Sequence, residues 1–345
     1  MTESGTPEGM AWIPGGTFLM GSDDFYPEER PAHPVHVTGF WMDDHAVTVV
    51  EFARFVAATG HVTKAEQAPD PADYPGAPPG VLVPGSLVFR QADGPVPLSD
   101  PRRWWSWVPG AQWRHPEGPG STVRGREDHP VTHVAYQDAA AYAAWAGKAL
   151  PSEGEWEPAA RGDLDGAVYS WGDEFRPEGQ VMANTWQGRF PWENLKARVG
   201  TVQVKDYPPN SYGLFEMTGN VWEWTSDYFT AGHAPPARAC CVPEDPRVDT
   251  PRATGDQLRP DAHIPQRVVK GGSYLCAPNY CLRYRPAARQ GQAVDTSAAH
   301  IGFRCVLRTD PARRDVHRDG AQGAFPAGKG AALPRANLPR RPGEP

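Results

Sequence analysis

A chain of 345 residues, 39% of them hydrophobic, can bury a sizeable core without disulfide staples, as one large domain or two ordinary ones. A formal net charge of -7 argues against nonspecific affinity for nucleic acid or anionic membranes, and no apolar run of about 18 residues suggests a membrane span. Five irregularly spaced cysteines exclude a dense disulfide scaffold, and the polar, acidic start MTESGTPEG does not resemble a signal peptide, so the expected compartment is the cytoplasm.

The 36 glycines, 39 prolines and 13 tryptophans imply short elements joined by ordered loops, with large aromatic side chains supplying much of the burial. Residues 1–9 read as a flexible N-terminus. WIPGGTFLMGS then reads as a turn and short strand, and PVHVTGFWMDD alternates with period two, which together predict a hairpin-like opening. Thr48 and Glu51 form a capping box, and Phe52, Phe55 and Val56 fall on one face of a first helix that ends at Gly60. Pro69 to Pro101 is too rich in proline and glycine for regular structure and is expected to be a surface loop leading into the aromatic run RRWWSW. A second helix is expected over Gln137 to Trp145, and a third after the Ser152/Glu155 capping box, with Pro158 truncating or kinking it. Ala231 to Pro265, with Cys240 and Cys241, reads as a second irregular insertion. Residues 310–345 contain almost no large apolar side chains and are expected to form a disordered Pro/Gly/Arg-rich tail.

Cys276 and Cys281 stand five positions apart in KGGSYLCAPNYCLRYRPAAR. One close pair is half of a structural zinc set, and His300 with Cys305 would be the other half at an unusual spacing. Two thiolates alone suit Cu(I), which accepts low coordination and prefers sulfur. Lys270, Arg283, Arg285 and Arg289 would favour the thiolate forms if they lay close by. A structural disulfide or two buried thiols fit the same spacing, and residue chemistry alone leaves these readings open.

RVVKGGSYLCAPNYCLRYRPAAR followed by HIGFRC resembles the active-site signature of the formylglycine-generating enzymes, copper-dependent oxidases that activate sulfatases. WIPGGTFLMGS, ATGHVTKAEQ, WRHPEGPGS, HPVTHVAYQDAAAYAAWAGKALPSEGEWE, MANTWQGRFPW and PPNSYGLFEMTGNVWEWTSD are similar to segments of that family in the same order. The resemblance implies one catalytic domain over residues 10–309, a loop-rich, C-type-lectin-like α+β fold with little regular secondary structure. It implies Cu(I) held by Cys276 and Cys281, and conversion of a cysteine in a Cys-x-Pro-x-Arg motif of an unfolded sulfatase polypeptide to Cα-formylglycine by molecular oxygen. Ser273 and Tyr280 would line the oxygen and substrate side of that site, and Trp222 its apolar wall.

The same resemblance implies structural calcium, with one site formed by the side chains of Glu216 and Glu223 and the carbonyls of Gly219 and Val221. A second would use Asn184 and the Thr185 carbonyl, but the chain then shortens to KARVGTVQV and has no aspartate where the family usually has one. Glu223 has a competing structural role, satisfying buried backbone donors. The alternative function is a noncatalytic peptide- or glycan-binding member of the fold, whose expected marker is loss of the cysteine pair. A thiol-disulfide oxidoreductase would show C-x-x-C at a helix start, and a related sulfoxide synthase would need a further histidine-rich helical domain that HPVH does not supply.

Overall fold

The computed structural model describes residues 6–233, 242–251 and 264–308. The chain opens on β1 (Met10–Ile13), β2 (Gly16–Met20), β3 (His33–Val37) and β4 (Phe40–Asp43), and the expected hairpin is nested: β2 pairs with β3, and β1 with β4, all antiparallel. PVHVTGFWMDD is therefore two strands, which separate where Gly15 and Gly39 cross. A Cβ on Gly15 would stand 2.6 Å from the Gly39 nitrogen, so neither side chain nor sheet continues through that point.

The first helix, α1 (Val49–Thr59), starts at the Thr48/Glu51 capping box, buries Phe52, Phe55 and Val56, and ends at Gly60 with φ +70°. After it, the expected Pro69 to Pro101 loop does contain irregular turns, but also β5 (Gly85–Phe89), paired in full register with β6 (Trp105–Pro109). This strand was not legible because tertiary partners make it: Phe89 packs edge-on against Trp105, and Leu87 bridges to Ala298.

Helix α2 (Tyr136–Trp145) begins one residue before its expected start. Helix α3 (Glu153–Arg161) runs through Pro158 instead of stopping there. All nine of its residues are buried, so tertiary packing outweighs the hydrogen bond that proline removes. Its acids also anchor the sheet: Glu153 accepts two hydrogen bonds from Arg289, and Glu157 binds Lys270 and Arg161.

The remaining strands are β7 (Trp222–Tyr228), β8 (Gln266–Lys270), β9 (Arg289–Ala293), β10 (Ile301–Gly302) and β11 (Val306–Arg308). They complete a sheet in the order β10-β7-β8-β9, while β11 joins β4 on the edge opposite β1. The result is a loop-rich mixed α/β domain whose largest core cluster joins α1, α2 and β7 to Cys276 and Cys281. No helix among the described residues is long and apolar enough to cross a membrane. Cys240, Cys241 and the expected tail lie outside the described residues.

Candidate active site

Strand β8 delivers the chain to Gly271 and Gly272, whose φ values of +91° and +70° turn it sharply into the site loop. Neither position has room for a side chain: a Cβ would stand 2.6 Å from the Met217 carbonyl oxygen at one and 2.8 Å from the Arg283 carbonyl oxygen at the other. Ser273 follows, fully buried, with its carbonyl accepting the Cys276 amide and its hydroxyl accepting the Leu275 amide. The Ala277 carbonyl then accepts from both Tyr280 and Cys281, a single turn that folds Cys281 back over Cys276.

The two sulfurs lie 3.0 Å apart, both buried and unbridged. A disulfide would bring them to about 2.05 Å. Burial and the neighbouring sulfur push the Cys276 thiol well up, while the hydrogen bond from Cys276, aided by the Arg283 guanidinium, draws Cys281 down to about 7. Of the four basic residues near the pair in sequence, only Arg283 plays this part. Lys270, Arg285 and Arg289 are turned instead to Glu157, Glu29 and Glu153. Arg283 is held from outside the loop, by Glu28 at 2.6 Å and by the face of Tyr26 at 3.9 Å, while its Nε has no hydrogen-bond partner.

Cys276, Cys281, Ser273, Tyr280 and Trp222 all line one cavity of about 280 Å³. Tyr280 stacks on Phe190 with ring centroids 4.4 Å apart, and burial pushes its hydroxyl up to about 12, so it is a neutral phenol at ordinary pH. His300 shares the cavity, tilted against Trp105; desolvation pushes it down to about 3, leaving a neutral imidazole with an unpartnered Nδ1. Cys305 lies elsewhere, its amide bonded to Asp43. The zinc reading fails on this separation: among the described residues no three His, Cys, Asp or Glu side chains gather as a metal set. Two facing sulfurs without a third such donor fit soft, low-coordinate Cu(I). Sequence reasoning missed Tyr26, Glu28 and the role of His300. Tyr26 and Glu28 carry no local motif, since their contacts with Arg283 cross most of the chain, and His300 stands in HIGFRC without a spacing that ties it to the sulfurs.

The residues tied to calcium are arranged unequally. Glu216 (φ +45°), Gly219 (φ +84°) and Asn220 (φ +55°) wind a tight coil ahead of β7. Glu216 accepts the amides of Lys205 and Tyr207 and keeps further lone pairs, so the coil offers hard oxygens of the type calcium takes. Glu223 is committed elsewhere. Three N–H groups, two from the Arg304 guanidinium and one from the Trp156 indole, bond its two oxygens, the Arg304 Nε–H shared between both. At the second set, the Lys196 ammonium donates to the Asn184 side-chain oxygen, and those residues do not fit a calcium ion.

The fold matches solved structures at low identity. PvdO from Pseudomonas aeruginosa aligns with a TM-score of 0.56 and 21% identity, over 87% of this chain and 94% of that one. Sequence relatives are nearer. The chain is 54% identical to a formylglycine-generating enzyme from Mycobacterium tuberculosis over 85% of its own length and 96% of the relative's. It is also 35% identical, over 89% and 88% of the two lengths, to an inactive Cα-formylglycine-generating enzyme 2 from Mus musculus, so likeness alone does not decide activity. Residues 1–309 match the sulfatase-modifying factor enzyme 1-like domain, and the chain belongs to that family, the family of the formylglycine-generating enzymes.

Proposed function

We propose that this protein is a sulfatase-activating oxidoreductase that converts a substrate cysteine to Cα-formylglycine at a copper site formed by Cys276 and Cys281. Family membership supports the formylglycine-generating activity. The copper chemistry rests on one observation above all: the reduced sulfur pair, 3.0 Å apart, in the wall of a cavity large enough for a cysteine side chain. Cu(I), held by these two sulfurs, would supply a soft Lewis acid and one-electron exchange with molecular oxygen. Calcium, if taken up at the Glu216 coil, would brace the approach to β7 and has no part in the chemistry.

The chain's own residues do the positioning. Cys281 is the readier thiolate and Cys276 carries the proton that must leave for both sulfurs to serve as ligands. Arg283 balances the negative charge that then develops. Trp222 and Tyr280 provide aromatic walls that limit water, and the Tyr280 phenol can donate a hydrogen bond into the cavity. In the net reaction the substrate's CH2–SH gives one hydrogen from Cβ and one from sulfur to oxygen, and an external thiol reductant, itself oxidised to a disulfide, supplies the other two hydrogens that take O2 to two waters. Water then replaces the sulfur, which leaves as hydrogen sulfide, and the aldehyde remains.

A second cavity of about 440 Å³ shares Leu87, Gln290, Gln292 and Thr296 with the first. An extended peptide advances about 3.3 Å per residue, so a Cys-x-Pro-x-Arg segment reaches about 13 Å from its cysteine to its arginine. We assign the residues that follow the cysteine to this larger cavity, with the cysteine itself in the smaller one beside the two sulfurs. The reduced sulfur pair suits a reducing compartment such as the cytoplasm. The test is to incubate the copper-loaded, reduced protein in air with a Cys-x-Pro-x-Arg peptide and look for the mass change and hydrazide reactivity of a new aldehyde. Peptide binding without aldehyde would instead favour the noncatalytic reading.

A further inference from the structure

The oxygen that the second calcium ion would need is already bound to a cation of the chain's own. We propose that the Lys196 ammonium takes the place of calcium at Asn184, so that this part of the fold is complete without a metal.

Asn184 is fully buried and its amide can point only one way. Its Nδ2 donates to the Gly200 carbonyl and to Asn220 Oδ1, each at 3.0 Å, and both partners are acceptors. The remaining atom, Oδ1, therefore faces the ammonium, and Lys196 Nζ donates to it. The surroundings lock this arrangement. Asn220 Oδ1 also accepts the Val202 amide, Asn220 Nδ2 donates to the Val202 carbonyl, and the Asn220 amide donates to the Asn184 carbonyl at 2.8 Å. Gly219 packs so closely that a Cβ there would stand 2.8 Å from that same carbonyl oxygen.

Calcium requires six to eight oxygen donors at about 2.3–2.6 Å, usually with carboxylates among them. Here the side-chain oxygen is occupied, and the Thr185 carbonyl faces the side-chain amide of Gln187 at 3.4 Å. The residues after FPWENL supply a lysine and no acid until Asp206. Asp206 is the nearby negative charge: burial disfavours the charged form of Lys196, and Asp206 works in the opposite direction. A divalent ion at Asn184 would lie against a like charge in a half-buried setting, whereas the monovalent ammonium satisfies the buried amide oxygen by itself.

Three variants of the full chain test this, read by elemental analysis for bound calcium and by melting temperature with and without chelator. Wild type should hold no more than one calcium ion per chain. Lys196→Met should melt about 2–6 °C lower, because a buried acceptor loses its donor, and millimolar calcium should not restore it. Lys196→Asp removes the blocking charge and adds a carboxylate, so it should bind one more calcium than wild type and gain a calcium-dependent rise in melting temperature. A second calcium ion in wild type overturns the proposal, and that count needs no variant to fold. A Lys196→Met protein as stable as wild type, or a folded Lys196→Asp protein indifferent to calcium, overturns it as well.

Discussion

Arg283 reaches Glu28 across 255 positions of sequence in a 2.6 Å ion pair, and the same guanidinium is the positive charge beside Cys281. The N-terminal segment thus helps set the ionisation of a sulfur near the other end of the domain. Removing the charge should raise the pH at which Cys281 becomes a thiolate, because an opposite charge at this range lowers an acidic group's pKa by about one to three units. The ultraviolet absorbance of the thiolate, followed against pH in copper-free reduced Arg283→Met, reads this directly. Glu28→Gln removes a negative charge and leaves the guanidinium in place, so it should move the midpoint little and downward, opposite to Arg283→Met. An unchanged midpoint in Arg283→Met would mean that the hydrogen bond from Cys276 alone holds Cys281 down.

Replacing either Cys276 or Cys281 with serine exchanges a soft sulfur for a hard oxygen of similar shape. Copper binding and turnover should fall together in both variants, with the melting temperature changed by only a few degrees, because no covalent bridge is lost. If the pair worked only as a disulfide in the functional protein, the same substitutions would cost about 2–4 kcal/mol of stability and copper would be irrelevant. Copper stoichiometry and unfolding curves on the same samples separate the two. Full copper-dependent turnover in either serine variant would end the two-thiolate mechanism.

The sequence made α1 legible because its signals are local: the Thr48 cap, the 3.6-residue spacing of Phe52, Phe55 and Val56, and Gly60 as the stop. The cysteine pair stood out for the same reason, two sulfurs within one turn of chain. What stayed hidden depends on partners from far away. Strand β5 exists because Trp105 and Ala298 receive it. Arg283 could not be told from Lys270, Arg285 and Arg289 by spacing, since the acids that claim those three come from α3 and from Glu29. Pro158 misled in the other direction: its local penalty is real, but a fully buried helix anchored by Glu153 and Glu157 absorbs it.

Gly272→Ala should damage the copper site from beside it. The residue has φ +70°, and a new Cβ would meet the Arg283 backbone 2.8 Å away, an atom that can move only with the loop carrying Cys281. Strain of this kind costs about 1–3 kcal/mol, and relieving it moves the strand end away from the returning loop. The expected result is a lower melting temperature together with weaker copper binding. Gly60→Ala at the end of α1 serves as a control: it has the same φ of +70° but nothing within 4 Å of the added Cβ, so it should lose some stability and leave copper binding intact. Equal copper affinity in the two variants would show that the glycine turn does not set the sulfur positions.

Acid should weaken the fold before the carboxylate range is reached. His133 is fully buried and His300 half-buried in the cavity wall, and both are neutral, each pushed down to about 3 by desolvation. In the unfolded chain a histidine titrates near 6.5, so below about pH 6.5 the unfolded state binds protons that the folded state refuses. Stability is therefore complete above that pH and falls as pH decreases. Each such histidine contributes a loss on the order of 1 kcal/mol between pH 7.5 and 5.5 by proton linkage. A second loss begins lower down. Burial alone would raise Glu153 and Glu157, but Arg289, Lys270 and Arg161 hold them below their ordinary value, and that stabilisation disappears as pH falls through the carboxylate range. Asp43, Glu216 and Asp227, raised by burial, act in the opposite sense, so the wild-type curve mixes both. His133→Asn isolates the histidine contribution. Asparagine tolerates the φ of +60° at this position and keeps a polar group near Ser86, which now bonds His133 Nδ1 at 2.7 Å. Urea unfolding at pH 7.5 and 5.5 should show the variant losing on the order of 1 kcal/mol less than wild type across that interval, with the other groups largely cancelling in the difference. Parallel pH dependence in the two proteins would mean that His133 takes up its proton in the folded state after all.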